Sequence, residues 1–392
     1  VTVVADVYVG DVLAATLTAL EGGITQFAYT SHALENNGPV VASTLPLSAE
    51  PVLTAGGALP AFFANLLPEG RRLSTLKRAA KASLDDELAL LLAVGSNTVG
   101  NVSVVPAGRT PDPSVAQIDM TADLDFTTVL TAAGVNDPAA LAGAQDKASA
   151  RTIAVPVGGV SQSFILKVSP PEYPFLVENE AACYEIARRL PSAWLRLAEV
   201  EVIHDKFGRS GLLVTRFDRA GSHRYPVEDA AQLLNLHPGQ KYSTTMEEIV
   251  KAVCAVVVSP TRAKRTIALM VALAWLTGNG DMHAKNISVI DTGAGYDVAP
   301  VYDIPSTLVY GDSTLALPVQ GAKDNISAKK FLAFTDDIGL PRAVGERIIA
   351  RALTVTEDAA EIILDSGRFD ARRSRDVRRV LARRRRLFTT SA

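Results

Sequence analysis

The chain is poor in cysteine: Cys183 and Cys254 are the only two among its 392 residues. Two isolated cysteines cannot build the disulfide framework of a small secreted domain. Both sit in apolar helical patterns that read as buried free thiols in a reducing cytoplasm. Histidine is also scarce, with five, and no second histidine lies at ligand spacing from His283, which argues against a zinc site there. Charge of one sign does not dominate. The formal net charge is −3, which speaks neither for nor against nucleic acid at the level of the whole chain. Long hydrophobic runs are missing as well. The longest apolar stretch, Ile267 to Leu276, suits a core helix and falls short of a membrane span. The N-terminus lacks the basic-then-apolar pattern of a secretory signal. These absences point to a cytoplasmic protein with no membrane contact.

What is present is enough for real cores. Hydrophobic residues make up 48% of the chain and aromatics a modest 6%, the composition of a globular protein with two or more structural units. No internal repeat is visible, and the one biased tract is arginine-rich, near the C-terminus. Residues 1–108 read as a mixed unit. Strands are expected at Val3–Val9, Val12–Leu17 and Ile24–Tyr29, and a helical region at Ala61–Leu67 is stopped by Pro68. Ser83 is the expected N-cap of a helix with Asp85, Asp86 and Glu87 in its first turn, and Gly100–Val105 is the expected closing strand. A Pro/Gly-containing linker at 107–113 leads to an α+β region at 109–217. Residues 218–392 are dominated by helical periodicity, apart from a hairpin at 287–299.

The chemistry is concentrated in Gly278-Asn279-Gly280-Asp281-Met282-His283-Ala284-Lys285-Asn286 and in Tyr302-Asp303. An Asp, an Asn five residues later and a second Asp beyond a hairpin form the acidic apparatus of a protein-kinase-like phosphotransferase. The first Asp orients or deprotonates the attacking hydroxyl, and the Asn and the second Asp hold Mg²⁺ against the nucleotide phosphates. The helix ending at Leu276 runs into a Gly-Asn-Gly break, so Asp281 falls on a loop, and the hairpin carries the chain back to Asp303. D-x-x-x-x-N alone is a weak signal. His283 and Lys285 in the same loop strengthen it, because a loop that gathers so many polar groups usually faces a ligand. A metallohydrolase built on Asp281 and His283 is the competing reading.

The remaining parts of a nucleotide site occur upstream in the right order. Leu141–Lys147, with Ala142, Gly143, Ala144 and Gln145, is a small-residue loop whose backbone N–H groups can approach phosphates, although an ordinary turn would look the same. Ser163–Val168 reads as a strand with Phe164, Leu166 and Val168 on one face and Lys167 on the other. A lysine buried on a sheet needs an acid. Glu180 shares an inward helical stripe with Cys183, Ala187 and Leu190, whereas Glu178 does not, and two solvated surface charges are the alternative. Leu212–Phe217 ends an apolar strand where a hinge between two lobes would meet an adenine. Arg216 and Asp218 there read equally well as a local ion pair.

Together these segments resemble the HipA family, the serine/threonine-kinase toxins of bacterial HipBA-type toxin–antitoxin modules, over most of the chain. The likeness is carried by Phe62–Pro68, Val94–Gly100, Leu141–Lys147, Phe164–Val168, Val177–Glu180, Val214–Arg219, Tyr225–Asp229 with Gln232, Lys241-Tyr242, Asp281–Asn286 and Tyr302-Asp303. The resemblance implies an α+β, protein-kinase-like two-lobed fold with an additional N-terminal α+β subdomain and a mainly α-helical C-terminal lobe. It makes Asp281 the catalytic aspartate and Asn286 and Asp303 the Mg²⁺ ligands. It places Lys167, His283 and the backbone around Ala142–Gln145 at the ATP phosphates, with Thr215 and Phe217 lining the adenine pocket. It also implies a protein substrate such as an aminoacyl-tRNA synthetase, leading to growth arrest or persistence. The implied partner is a small helix-turn-helix antitoxin (HipB-like) that carries the complex to operator DNA. In the best-known type of the family, a serine two residues before the loop's Ala-Gly is autophosphorylated. Here that position is Ala140, so self-inactivation is absent, or Ser149 or Thr152 takes it over, or the residue was replaced.

Arg372, Arg373, Arg375, Arg378, Arg379 and Arg383–Arg386 form a basic segment, which as a helix would dock through Val377, Val380, Leu381 and Leu387. It reads either as a nucleic-acid contact or as a solvated helix face. Two function classes follow: a kinase toxin, favoured by the intact Asp281, Asn286, Asp303 and Lys167, or a non-catalytic or weakly catalytic corepressor that completes an antitoxin–DNA complex.

Overall fold

The computed structural model describes residues 3–70, 73, 76, 86–112, 116–117, 123–133, 153–159 and 162–389. The expected phosphate loop, with Ala142, Gly143, Ala144 and Gln145, lies outside the described residues, as do Ser83, Ala140, Ser149 and Thr152.

Alternating apolar residues build the first sheet. Val4–Val9 (β1), Val12–Leu20 (β2), Ile24–Tyr29 (β3), Val52–Thr54 (β4) and Val102–Pro106 (β5) pair antiparallel in the order β4-β3-β2-β1-β5. The β1–β2 turn passes through Gly10 at φ +59°, where a side chain would be strained. Ser31–Glu35 (α1), Ala61–Ala64 (α2) and Glu87–Val94 (α3) accompany the sheet. Leu17, Phe27, Phe63, Leu90 and Leu91 fill the core between them. The N-cap of α3 is Asp86 rather than Ser83: its carboxylate accepts the Ala89 N–H at 3.0 Å. The acid next to the first helical residue is the one placed to meet the free N–H groups of the opening turn.

The second sheet comprises Ala116–Gln117 (β6), Ile153–Gly158 (β7), Ser163–Val168 (β8), Val200–His204 (β9) and Ser210–Thr215 (β10), in the order β6-β7-β8-β10-β9. Period-two alternation sends β8 in two directions. Phe164, Leu166 and Val168 pack with Phe126, Val129 and Leu130 of Phe126–Ala132 (α4). Ile165 packs on the other face, where Val177 and Tyr184 of Leu176–Ala187 (α5) meet Leu212 and Val214. Lys167 therefore leaves the sheet toward α5.

After a short hairpin, Arg219–Ala220 (β11) with His223–Arg224 (β12), the chain becomes mainly helical. Val227–Asp229 (β13), Ser288–Asp291 (β14) and Tyr296–Val298 (β15) form a small sheet that contains the expected hairpin. Around it lie Ala230–Leu233 (α6), Met246–Val256 (α7), Pro260–Thr277 (α8), Ala328–Asp337 (α9), Arg342–Val355 (α10), Ala359–Asp365 (α11) and Ala371–Thr389 (α12). The axis of this lobe is α8, buried from Ile267 to Thr277. Cys183 is buried, whereas Cys254 is only half-buried, and both are free thiols. No described helix is long and apolar enough to cross a membrane.

The arginine-rich helix α12 docks as expected through Val377 and Leu381, with Val380 and Leu387 partly buried, and additionally through Phe388 and Arg384. Arg384 is 2% exposed. It lies 4.1 Å from the Trp275 ring centre and donates to the Trp275 carbonyl at 2.8 Å and to the Ser313 carbonyl at 2.6 Å. Arg373, Arg378 and Arg385 also bond to protein groups. Much of the basic segment is thus committed to the lobe itself. The whole is a two-lobed, protein-kinase-like fold preceded by an additional α+β unit.

Candidate active site

The end of α8 is shaped by glycine. Gly278 closes the helix at φ +80°, and the N–H groups of Gly278 and Asn279 both return to the Ala274 carbonyl, a left-handed helix stop. A Cβ on Gly280 would stand 2.5 Å from Thr307 Oγ1 and 2.6 Å from the Thr314 carbonyl oxygen. Only glycine lets the loop lie this close to residues 306–314. Gly280→Ala is therefore expected to destabilise the protein by about 2 kcal/mol through overpacking, a loss that chemical denaturation would read.

This stop leaves Asp281 1% exposed, with its N–H donating to Asn279 Oδ1 at 2.8 Å. Its carboxylate Oδ1 accepts the Tyr242 hydroxyl at 2.8 Å. Asn286 Nδ2 donates both to the Asp281 carbonyl at 2.8 Å and to Asp303 Oδ2 at 3.1 Å, so one amide ties the loop to the second aspartate. Asp303 adopts φ +56°, a left-handed conformation that aspartate tolerates better than most residues. The Tyr302 hydroxyl before it donates to the Lys285 carbonyl at 2.7 Å and fixes the return of the hairpin.

Lys167 joins this group to the other lobe. Its ammonium donates to both Glu180 oxygens at 2.8 and 2.9 Å and to Asp303 Oδ1 at 2.8 Å. Glu180 is 1% exposed, so the pair is buried rather than solvated, and the partner acid is Glu180, not Glu178. Burial pulls the Lys167 ammonium down, but Asp303 and Glu180 outweigh it and raise its pKa. Burial pushes the Asp303 carboxyl up, and the Lys167 ammonium overrides it, giving a net lowering. Glu180 is raised, burial being the larger effect and Lys167 the opposing one. Each direction follows from desolvation set against a charge in direct contact.

A cavity of about 310 Å³ opens between the lobes. Ala154, Ile165 and Val214 give it apolar walls, Thr215 and Phe217 line it at and just after the end of β10, and Lys167, Lys285, Ser288 and Tyr302 line its polar side. Leu66, Leu67, Pro68 and Val94 from the N-terminal unit also face it, a contribution that local sequence patterns do not reveal. The Phe217 and Tyr302 rings lie 5.7 Å apart. His283 is absent from the walls. It is buried beside Asp281, with Nε2 3.9 Å from Oδ2, and its ring meets Tyr242 edge-on at 5.1 Å. Burial lowers its pKa, which favours the neutral imidazole, and its buried Nδ1 has no hydrogen-bond partner among the described residues.

No group of three or more His, Cys, Asp or Glu that could hold a metal occurs among the described residues, so a zinc cage on Asp281 and His283 finds no third ligand there. The adjacent Asn286 amide oxygen and Asp303 carboxylate are hard oxygen donors. One carboxylate and one amide fit Mg²⁺, which keeps several waters and takes other ligands from phosphates.

Arg216 and Asp218 do form an ion pair, with contacts of 2.9 and 2.7 Å, and it belongs to a larger knot. Arg216, Arg219 and Arg224 all donate to the Thr98 carbonyl, and Asp218 accepts the Gly100 N–H at 2.9 Å. Burial and the nearby Arg216 guanidinium push Arg219 down to about 9 and Arg224 to about 10. Asp218 is the anion that offsets them. Asp218→Asn should cost about 2 kcal/mol, the range for a hydrogen bond to a charged group, readable as a lower denaturant midpoint.

Comparison with known proteins follows the same lines. The HipA N-terminal domain family matches residues 5–105 and the HipA-like C-terminal domain family residues 139–360. The candidate kinase Y4mE of Sinorhizobium fredii is 29% identical, over 88% of this chain and 90% of its own. The serine/threonine-protein kinase toxin HipA of Shewanella oneidensis is 27% identical, over 93% and 90%. A chain in the solved complex of HipA, HipB and operator DNA from Shewanella oneidensis MR-1 superposes with a TM-score of 0.74 at 22% identity. It covers 97% of this chain and 96% of that one.

Proposed function

The chain belongs to the HipA family, and from that premise we propose that it is an ATP- and Mg²⁺-dependent serine/threonine protein kinase, the toxin of a toxin–antitoxin module. The observation that carries this reading is one unbroken set of contacts beside the interlobe cavity: Glu180–Lys167–Asp303–Asn286–Asp281. It joins a phosphate-neutralising cation, oxygen donors for a metal and a buried carboxylate.

In the proposed reaction, adenine occupies the apolar slot under Ile165 and Val214, with the hinge at Thr215 and Phe217. Lys167 neutralises the α- and β-phosphates. Tyr242 occupies Asp281 Oδ1 and leaves Oδ2 to accept the proton of an incoming serine or threonine hydroxyl. The serine or threonine oxygen, its proton passed to Asp281, then bonds to the γ-phosphorus as the bond to the bridging β–γ oxygen breaks, and ADP leaves. Mg²⁺ held by Asn286 and Asp303 would offset the charge on the phosphate oxygens. The backbone of the proposed phosphate loop, Ala142–Gln145, would contact the phosphates, and His283 would sit beside them. The proposed acceptor is a translation protein, an aminoacyl-tRNA synthetase. The proposed partner is a HipB-like antitoxin that brings the complex to operator DNA in the cytoplasm.

The test is Mg²⁺-dependent transfer of labelled γ-phosphate from ATP into host lysate by this chain and by its Asp281→Asn variant. A discrete labelled protein, lost in the variant, supports the kinase and delivers its substrate. No labelling with ATP binding retained would replace the kinase by the corepressor.

A further inference from the structure

A carboxylate from the N-terminal unit stands among the cations of the catalytic loop. Glu69 Oε1 is 3.0 Å from Lys285 Nζ and Oε2 is 2.5 Å from Lys241 Nζ. Lys285 also donates to the Asn65 carbonyl at 3.1 Å. Both lysines lead directly into the site. The Lys241 carbonyl accepts the Ala284 N–H at 3.2 Å, and Tyr242 next to it holds Asp281. Lys285 lies one residue before Asn286 and lines the nucleotide cavity. The segment that carries Glu69 is fixed to the C-terminal lobe, since Asn65 donates to the Leu236 carbonyl at 2.7 Å and Gln232 donates to the Phe62 carbonyl at 3.1 Å.

The charges decide what this arrangement does. Lys167 is in direct contact with two carboxylates, Glu180 and Asp303, whereas Lys241 and Lys285 directly contact one, Glu69, with the Asp229 carboxylate also close enough to Lys285 to feel its charge. Two ammoniums on one carboxylate give the bridge itself a net positive charge, and Lys285, four residues after Asp281, carries it to the cavity wall, where the γ-phosphoryl group of the proposed reaction gathers negative charge. A lysine has a flexible four-carbon stem, and without Glu69 the Lys285 ammonium would be held by the Asn65 carbonyl but by no direct carboxylate contact.

We propose that Glu69 is a positioning residue that holds the Lys285 ammonium at the phosphate end of the cavity, so that the N-terminal unit completes the phosphotransfer site. This rests on the kinase reading. Burial pushes the Glu69 carboxyl up, but Lys285 and Lys241 hold it down to about 2, so the bridge is ionised at neutral pH.

The experiment is a double-mutant cycle on the full chain, reading initial rates of labelled γ-phosphate transfer and the affinity for a fluorescent ATP analogue. Lys285→Met should lower kcat about 100-fold, as for loss of one donor to the transition state. Glu69→Gln should lower it about tenfold, with nucleotide affinity within about twofold, because positioning acts on kcat rather than on ground-state binding. Glu69→Asp, which keeps the charge, should recover part of the rate. The double variant should be no slower than Lys285→Met. With Asp281-dependent transfer established for the wild-type chain, a Glu69→Gln protein at full kcat overturns the inference. Losses that add in the double variant do the same, since they would mark a purely structural Glu69. A wild-type chain with no transfer would overturn the kinase reading and the inference together.

Discussion

An Asp281→Asn chain is expected to transfer γ-phosphate about 1,000-fold more slowly than the wild type, the middle of the range for removing a positioned general base. The substitution is close to isosteric and spares the surrounding bonds. The Tyr242 hydroxyl can still donate to the side-chain oxygen, and Asn286 bonds to the Asp281 main-chain carbonyl, which the change does not touch. What disappears is the negative oxygen left to accept a hydroxyl proton. The apolar cavity walls and Lys167 lie on the other lobe, so nucleotide affinity should stay within about threefold. Folding should hold, because a buried carboxylate is replaced by a group with a smaller desolvation penalty. Growth arrest in cells should vanish while antitoxin binding persists. A variant that keeps a tenth of the wild-type rate would refute Asp281 as the base, and unchanged toxicity would remove the kinase account of growth arrest.

Parts of this site are legible in the sequence because their geometry is local. The strand period places Lys167 opposite Leu166 and Val168, and the helical stripe through Cys183 and Ala187 brings Glu180 inward, so a pair 13 residues apart can be anticipated. A run of apolar residues ending in Gly-Asn-Gly marks where a helix must stop and a loop begin. Tyr242 and Glu69 are different. Tyr242 meets Asp281 across 39 residues and Glu69 meets Lys241 across 172, and no periodicity links such positions. The segment Lys241-Tyr242 carried a family likeness without a role, and Glu69 carried no local signal beyond standing after Pro68. Arg384 shows the same limit: among nine neighbouring-type arginines of one helix, charge alone cannot mark the one whose guanidinium lies on Trp275 and meets main-chain carbonyls. Arg216 and Asp218 were legible as a pair, but the turn at 97–100 that they secure is set by tertiary contacts.

Lys167→Met should abolish measurable transfer and also strike the fold, with a pH dependence that identifies the cause. Removing the ammonium leaves Glu180 and Asp303 facing each other in a buried site, and breaking a buried pair by deleting one partner costs about 3–5 kcal/mol. In the wild type the Asp303 carboxyl is lowered by Lys167. Its stabilisation is therefore present above the ordinary aspartate pKa and fades as pH falls through the lowered value. In the variant that counter-charge is gone, so burial and mutual repulsion raise both carboxyls above their unfolded values. The folded chain then binds more protons than the unfolded chain at intermediate pH, and stability falls as pH rises. The variant's deficit relative to wild type should thus be largest near pH 8 and shrink toward pH 5. Denaturant midpoints measured across that range read the slope directly. A deficit that does not change with pH would mean the lost methylene packing, not the charge, holds the two lobes together at this point. It would also remove the electrostatic argument for Lys167 as the cation that neutralises phosphates.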